Sequence, residues 1–89
     1  MEQTKQIWEE ALNILKQEIF AVSFETWIQP ILPCGIEGNK FILQAENPLA
    51  KDVLEKRHLP VIRNAIKFVT KTDYEIIIFT EKEKNTLLT

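Results

Sequence analysis

Between residues 5 and 20, Trp8, Ala11, Leu12, Leu15 and Ile19 recur at intervals of three and four, with Glu9, Glu10, Asn13, Lys16 and Gln17 between them. That period predicts an amphipathic helix, with Thr4 as its cap. Ile7, Ile14 and Phe20 widen the apolar stripe beyond what one buried face requires, which points to a second contact surface. The stretch Ser23-Phe24-Glu25-Thr26-Trp27-Ile28-Gln29-Pro30 then holds both a helix start and a helix stop. The Ser23 hydroxyl can accept a backbone N–H from the first turn, so Ser23 reads as an N-cap. Pro30 has no N–H to donate and pushes Gln29 towards extended backbone, so the helix closes before it. This leaves a helix over residues 24–29 with Phe24 and Trp27 on one face. A helix that short is not stable alone, and its aromatics must anchor it to the rest of the chain.

Further along, the period changes. Ile31 to Glu37 reads as a strand, and Pro33 within it argues for an edge or a bulge. Glu37-Gly38-Asn39-Lys40 is a tight turn, since glycine and asparagine tolerate the positive φ that hairpins need. Phe41, Leu43 and Ala45 alternate with Ile42 and Gln44 as the returning strand. At Asn47-Pro48 a strong N-cap precedes a proline at the first helical position. The long helix that follows carries Ala50, Val53, Leu54, Val61, Ile62, Ala65, Ile66 and Val69 on its apolar side. Pro60 interrupts it, giving a kink or a break of one turn, because the periodicity resumes almost in phase. Lys71-Thr72-Asp73 is a turn, and Tyr74 to Thr80 a last strand, apolar on both faces at Ile76-Ile77-Ile78-Phe79 as a well-covered strand should be. The order is α-α-β-β-α-β, a two-layer α+β domain with a three-stranded sheet. The domain is expected over residues 1–80, with 81–89 as a polar tail or the start of a linker.

Composition narrows the function. The 89 residues suffice for one small domain, and no apolar run approaches a membrane span. The first residues lack the layout of a signal peptide, so the expected place is the cytoplasm, with no membrane partner. A single cysteine, Cys34, excludes an internal disulfide and a cysteine cluster for zinc, and reads as a passive strand residue. The single histidine, His58, reads as a surface or half-packed side chain. With two glycines, Gly35 and Gly38, no phosphate-cradling loop can be built. No catalytic spacing is visible, so neither an enzyme nor a cofactor is expected. The net charge of −2 argues against affinity built mainly on phosphate neutralisation.

Taken together, Trp8 in the first helix, Ser23-Phe24-x-x-Trp27-x-x-Pro30, the hairpin, Ala45-x-Asn47 and Leu54-Glu55 resemble the amino-terminal domain, domain I, of the bacterial chromosomal replication initiator DnaA. The resemblance covers about residues 3 to 80 and is specific as a combination. It implies a fold similar to the type II K-homology domain. It also implies a non-catalytic interaction module that self-associates at the origin, helps recruit the replicative helicase and receives regulators of initiation. The family's ATPase and duplex-binding domains are not in this chain, and the polar tail favours an excised domain over a stand-alone protein. Two positions depart from the pattern: Leu49 stands where relatives often carry an aromatic that contacts partners, and His58 where a tyrosine is common. The K-homology GxxG loop is absent, which removes that route to nucleic acid.

Each residue singled out has a plain structural reading beside the functional one. Ile7, Trp8 and Ala11 form the expected surface for a weak homodimer, against a reading of Trp8 as core. Ser23, Thr26, Trp27, Asn47, Leu49 and Ala50 form the expected partner surface for helicase or a regulator, with Phe24 mostly core and Trp27 half exposed. Ser23 and Asn47 can be pure caps even so. Lys56, Arg63, Lys67 and Lys71 recur along one side of the long helix. A solvated face explains them, and the sharper reading is a weak single-stranded DNA contact, weak because no aromatic platform accompanies it. The rival functions are a K-homology-like single-stranded nucleic-acid-binding module and a stand-alone regulator that mimics the initiator domain.

Overall fold

The computed structural model describes residues 3–83. The first helix, α1, spans Gln3–Glu18, two residues earlier than its periodicity predicts. Thr4 therefore lies inside the helix rather than capping it. The last α-type bond runs from the Ile19 N–H to Leu15 O at 3.0 Å, and Phe20 turns out in extended backbone (φ −54, ψ 143). Phe20 thus widens no helical stripe; its side chain is 88% exposed.

A second helix starts at Ala21, not at Ser23. Its α-type turn, α2 (Ala21–Ser23), runs directly into a π-helical turn, Phe24–Ile28. Ser23 has helical backbone (φ −66, ψ −39) and its side chain makes no capping bond. Phe20, in extended backbone, stands at the N-cap position instead, without a side-chain capping bond. The π turn is closed by the Gln29 N–H donating to Phe24 O at 2.8 Å, a five-residue span. That bond holds Gln29 in helical backbone (φ −59, ψ −37), overriding the extended bias that Pro30 imposes. Phe24 and Ile28 are buried and Trp27 is half buried against the same core.

Three strands follow the expected order: β1 (Leu32–Glu37), β2 (Lys40–Ala45) and, after the helices, β3 (Glu75–Thr80). β2 lies in the centre, antiparallel to β1 and parallel to β3. β1 is an edge strand with an irregularity between Pro33 and Gly35, as proline in a strand requires. Gly38 takes φ +61 in the hairpin turn, a backbone state that costs glycine nothing. β3 is the other edge. Ile76 and Ile78 face the core, while Ile77 and Phe79 are only half covered, so its second face is less sheltered than the apolar run predicts.

Between β2 and β3 the chain forms α3 (Pro48–Val53), a second π-helical turn (Leu54–His58) and α4 (Leu59–Thr70). Asn47 is extended (φ −160, ψ 174), and its Oδ1 accepts the Ala50 N–H at 2.8 Å, with Pro48 in the first turn. The π turn explains why the apolar pattern continues across Pro60. It inserts a five-residue step, so Leu54 and the half-buried Leu59 face the same side, and Ile62, Ala65 and Ile66 carry that side on. Pro60 sits in the first turn of α4, where its lack of an N–H costs little. The core joins Trp8, Ala11 and Leu15 of α1 to Phe41 and Leu43 of β2 and to Leu54, Ile62 and Ile66. Tyr74 packs edge-on against Phe41, with ring centroids 5.8 Å apart. The result is a two-layer α+β fold, helices on one face of a three-stranded mixed sheet.

Candidate functional site

Periodicity puts Trp8 and Ala11 on the inward face of α1. Trp8 is 2% exposed and Ala11 fully buried, so neither offers a free surface; their apolar bulk belongs to the core. This corrects the expectation that Trp8 reaches outward. Its indole Nε1–H is also buried and has no hydrogen-bond partner among the described residues. Ile7, one position earlier, is half exposed. It lines a cleft between α1 and the end of α4 with Gln3, Gln6, Glu10, Val69, Thr70, Thr72 and Tyr74. Of the expected self-association residues, Ile7 alone reaches the surface.

The second group divides in the same way. Leu49 follows the cap Asn47 by two positions and is 64% exposed. Thr26 and Asn47 are exposed, and Ser23 and Trp27 are half buried. Ala50 is buried at 3%, since it is the residue by which α3 grips the core, so its methyl group cannot meet a partner. The shared electrostatic origin expected for this surface also changes. Asn47 does stand at a helix start, where free N–H groups concentrate. Ser23 does not, so that only one of the two segments presents a helix N-terminus.

On the long helical stretch the four cations are not equivalent. Lys56 pairs with Asp52 at 3.2 Å, one helical turn back. Arg63 holds Asp73 through two parallel bonds, Nε to Oδ1 at 2.8 Å and a terminal guanidinium nitrogen to Oδ2 at 3.0 Å. That fork keeps the Asp73 carboxyl below its ordinary pKa, by hydrogen bonding first and charge second. Lys71 ends α4 in left-handed backbone (φ 63), its N–H donating to Lys67 O at 2.7 Å. Its ammonium lies 4.7 Å from the centroid of the Phe68 ring. Phe68 is 67% exposed and was missed in the sequence, where it reads as one more apolar residue of the helix. The signal for it is its phase, since Phe68 lies one turn from Asn64 and Lys71 at the flank of the stripe centred on Ile62 and Ile66. His58 is half buried, and burial foremost, with Arg57 adding to it, lowers its pKa. Cys34 lies exposed on β1, and its Sγ donates to Leu32 O at 3.7 Å.

No group of three or more histidine, cysteine, aspartate or glutamate side chains placed to hold a metal occurs among the described residues. No helix among them is long and apolar enough to cross a membrane. At these surfaces a leucine and a half-covered tryptophan offer apolar area, and the polar groups around them offer hydrogen bonds. Compared with known protein families, the chain matches the family model described as the DnaA N-terminal domain, over residues 5–67. That span runs from the first turn of α1 through most of α4 and includes both π-helical turns.

Proposed function

Because the chain belongs to the DnaA N-terminal domain family and so has a role in the initiation of DNA replication, we propose that it acts there by reversible protein association through two separate surfaces. It is read as an interaction module without catalytic activity, working in the cytoplasm. The observation that carries this reading is Leu49. Asn47 caps α3 and Ala50 anchors it, so the fold accounts for both neighbours and leaves the leucine between them in solvent. Replicative helicase or an initiation regulator would meet Leu49, with Thr26 and the open side of Trp27 as flanking contacts. Aromatic anchors such as Trp27 commonly dominate the energy of an interface, and Leu49 would extend the apolar area beside it. Titration with purified helicase tests it. Leu49→Ala should weaken binding by about 1 kcal/mol or more if Leu49 is a hot spot. Unchanged binding to helicase and to regulators, with the fold intact, would remove this surface from the mechanism.

Self-association would use the cleft beside Ile7, with Trp8 and Ala11 supporting α1 from beneath. An interface of one helix face is small, and small interfaces are transient. Sedimentation should show a weak dimer that Ile7→Glu or Gln6→Glu abolishes without unfolding the chain. A monomer at every concentration up to millimolar would refute it.

One observation favours a second reading. Phe68 and the Lys71 ammonium above it supply the aromatic platform that the basic stripe lacked in sequence. Bases stack on such rings. Against it, Lys56 and Arg63 are already paired with aspartates, and Lys71 is the cation the structure places over the ring. Contact with single-stranded DNA is therefore expected to be weak at physiological salt, and fluorescence anisotropy decides. Micromolar binding that is lost in Phe68→Ala would make nucleic acid the principal partner.

A further inference from the structure

Beyond β3 the sequence Glu81-Lys82-Glu83 reads as part of a tail, but the structure ties it down to Thr80 at the strand's end. Residues 81–83 are helical. The Thr80 N–H donates to Glu83 Oε1 at 2.9 Å, and the Glu83 N–H donates back to Thr80 Oγ1 at 3.4 Å. This reciprocal pair is the capping box formed by a threonine and a glutamate three residues on. Thr80 is 4% exposed, a buried polar residue whose hydrogen bonds are made by this turn. The same Glu83 carboxylate takes two bonds from Lys51 Nζ, at 2.9 and 2.8 Å. Lys51 belongs to α3, the six-residue helix that presents Leu49 to solvent. The far walls of the groove between them are Pro48, Asp52, Glu55 and Lys82.

We propose that Glu83 is a joint: by capping the turn after β3 and holding Lys51, it ties the chain that leaves the sheet to the helix that presents Leu49. The coupling follows from geometry. α3 is short: the Asn47 cap holds its start, Ala50 is its buried residue, and its end runs into the buried Leu54, whose N–H donates to the Ala50 and Lys51 carbonyls. A displacement of α3 moves Lys51, and Lys51 shares one carboxylate with the Thr80 amide. Whatever engages Leu49 therefore acts on the direction in which the chain leaves the domain, and tension on that chain acts back on Leu49. Such coupling is reciprocal by thermodynamic necessity. The consequence for association rests on the reading of Leu49 as a partner contact; the joint itself does not.

Amide hydrogen exchange on the 89-residue chain separates the two. Lys51→Met keeps the stem and removes the charge, and it makes no direct bond to Thr80. It should speed exchange of the Thr80 amide by about threefold or more relative to amides of β2, which report global opening. Glu83→Ala should do the same for the Lys51 and Leu54 amides within α3 and just after it. Glu83→Gln, which keeps an acceptor for Thr80 and loses the ion pair, should speed Thr80 exchange about as much as Lys51→Met does and less than Glu83→Ala, which also removes the acceptor. Exchange that is unchanged at the far side in both Lys51→Met and Glu83→Ala, or that rises equally at every amide including β2, overturns the joint. Since no partner is present, that failure is distinct from failure of Leu49 to bind helicase.

Discussion

Trp8 brings its indole N–H into the core with no acceptor among the described residues, and that is costly. A buried donor without a partner forfeits about 1–3 kcal/mol of desolvation, while the ring itself fills the centre of the α1 contact. The two contributions can be separated. Trp8→Phe, which removes the donor and keeps an aromatic ring, should stay within about 1 kcal/mol of wild type, because relief of the donor offsets lost volume. Trp8→Ala should cost about 3–5 kcal/mol, as large aromatic truncations do. Urea titrations of both variants check this. Lys71 poses the opposite problem. Its left-handed backbone costs a residue with a Cβ about 1 kcal/mol, while its ammonium over Phe68 returns about 0.5 kcal/mol at an exposed site. Lys71→Gly should therefore melt slightly above wild type, and about 1 kcal/mol above Lys71→Ala, which keeps the strain and loses the ring contact. A thermal melt of the three proteins decides it.

Among the elements, caps and turns differ in how much of them is written locally. Asn47-Pro48 and Gly38 were legible because each residue solves its own backbone problem within four positions; Asn39, expected to share the positive φ of the hairpin turn, does not take it. Asn47→Ala should lose about 1 kcal/mol as the Ala50 amide loses its acceptor. Leu49→Ala should change stability by no more than about 0.5 kcal/mol, since its side chain is in solvent. Ser23 carries the same local signal as a cap, yet its hydroxyl makes no capping bond, so Ser23→Ala should leave the melting temperature nearly unchanged. The serine misleads because a helix can start at more than one place, and packing of Phe24 and Ile28 chooses among them. The π turns were illegible for a related reason. A five-residue hydrogen bond is no residue's preference; it appears where Pro30 and Pro60 meet apolar positions that must still face the core. Burial of Trp8 and Ala50 was misjudged because a helical stripe says which residues share a face, not which face the fold covers. Arg63 and Asp73 stand ten positions apart, joined only once α4 and the turn to β3 are in place.

For the molecule as a whole, the three groups with lowered pKa values, His58, Asp73 and Glu83, push stability the same way, while the raised Arg63 acts only at strongly alkaline pH. His58 has a lowered pKa, so the unfolded chain binds its proton more readily than the folded one. Its contribution is complete above the ordinary value of 6.5 and is lost as pH falls through the lower folded value. Asp73 and Glu83, also lowered, behave alike in the carboxylate range: their ion pairs help above the ordinary values and fade as the carboxyls take protons. Stability should thus decline in two stages on acidification, and His58→Gln should remove the first stage alone. Denaturation midpoints measured across pH check both. Added salt should flatten the second stage, because both ion pairs are exposed and screened. The sheet carries a further consequence, for the order in which the chain acquires its shape. β1 and β2 are joined by a tight hairpin and can meet within microseconds. β3 must instead lie parallel to β2, with Lys40 beside Glu75 and Ala45 beside Thr80, after α3, a π turn and α4 have crossed between them. The central strand therefore waits for its second neighbour until the crossover is assembled. The search for that long-range partner, not the hairpin, sets how fast this domain folds.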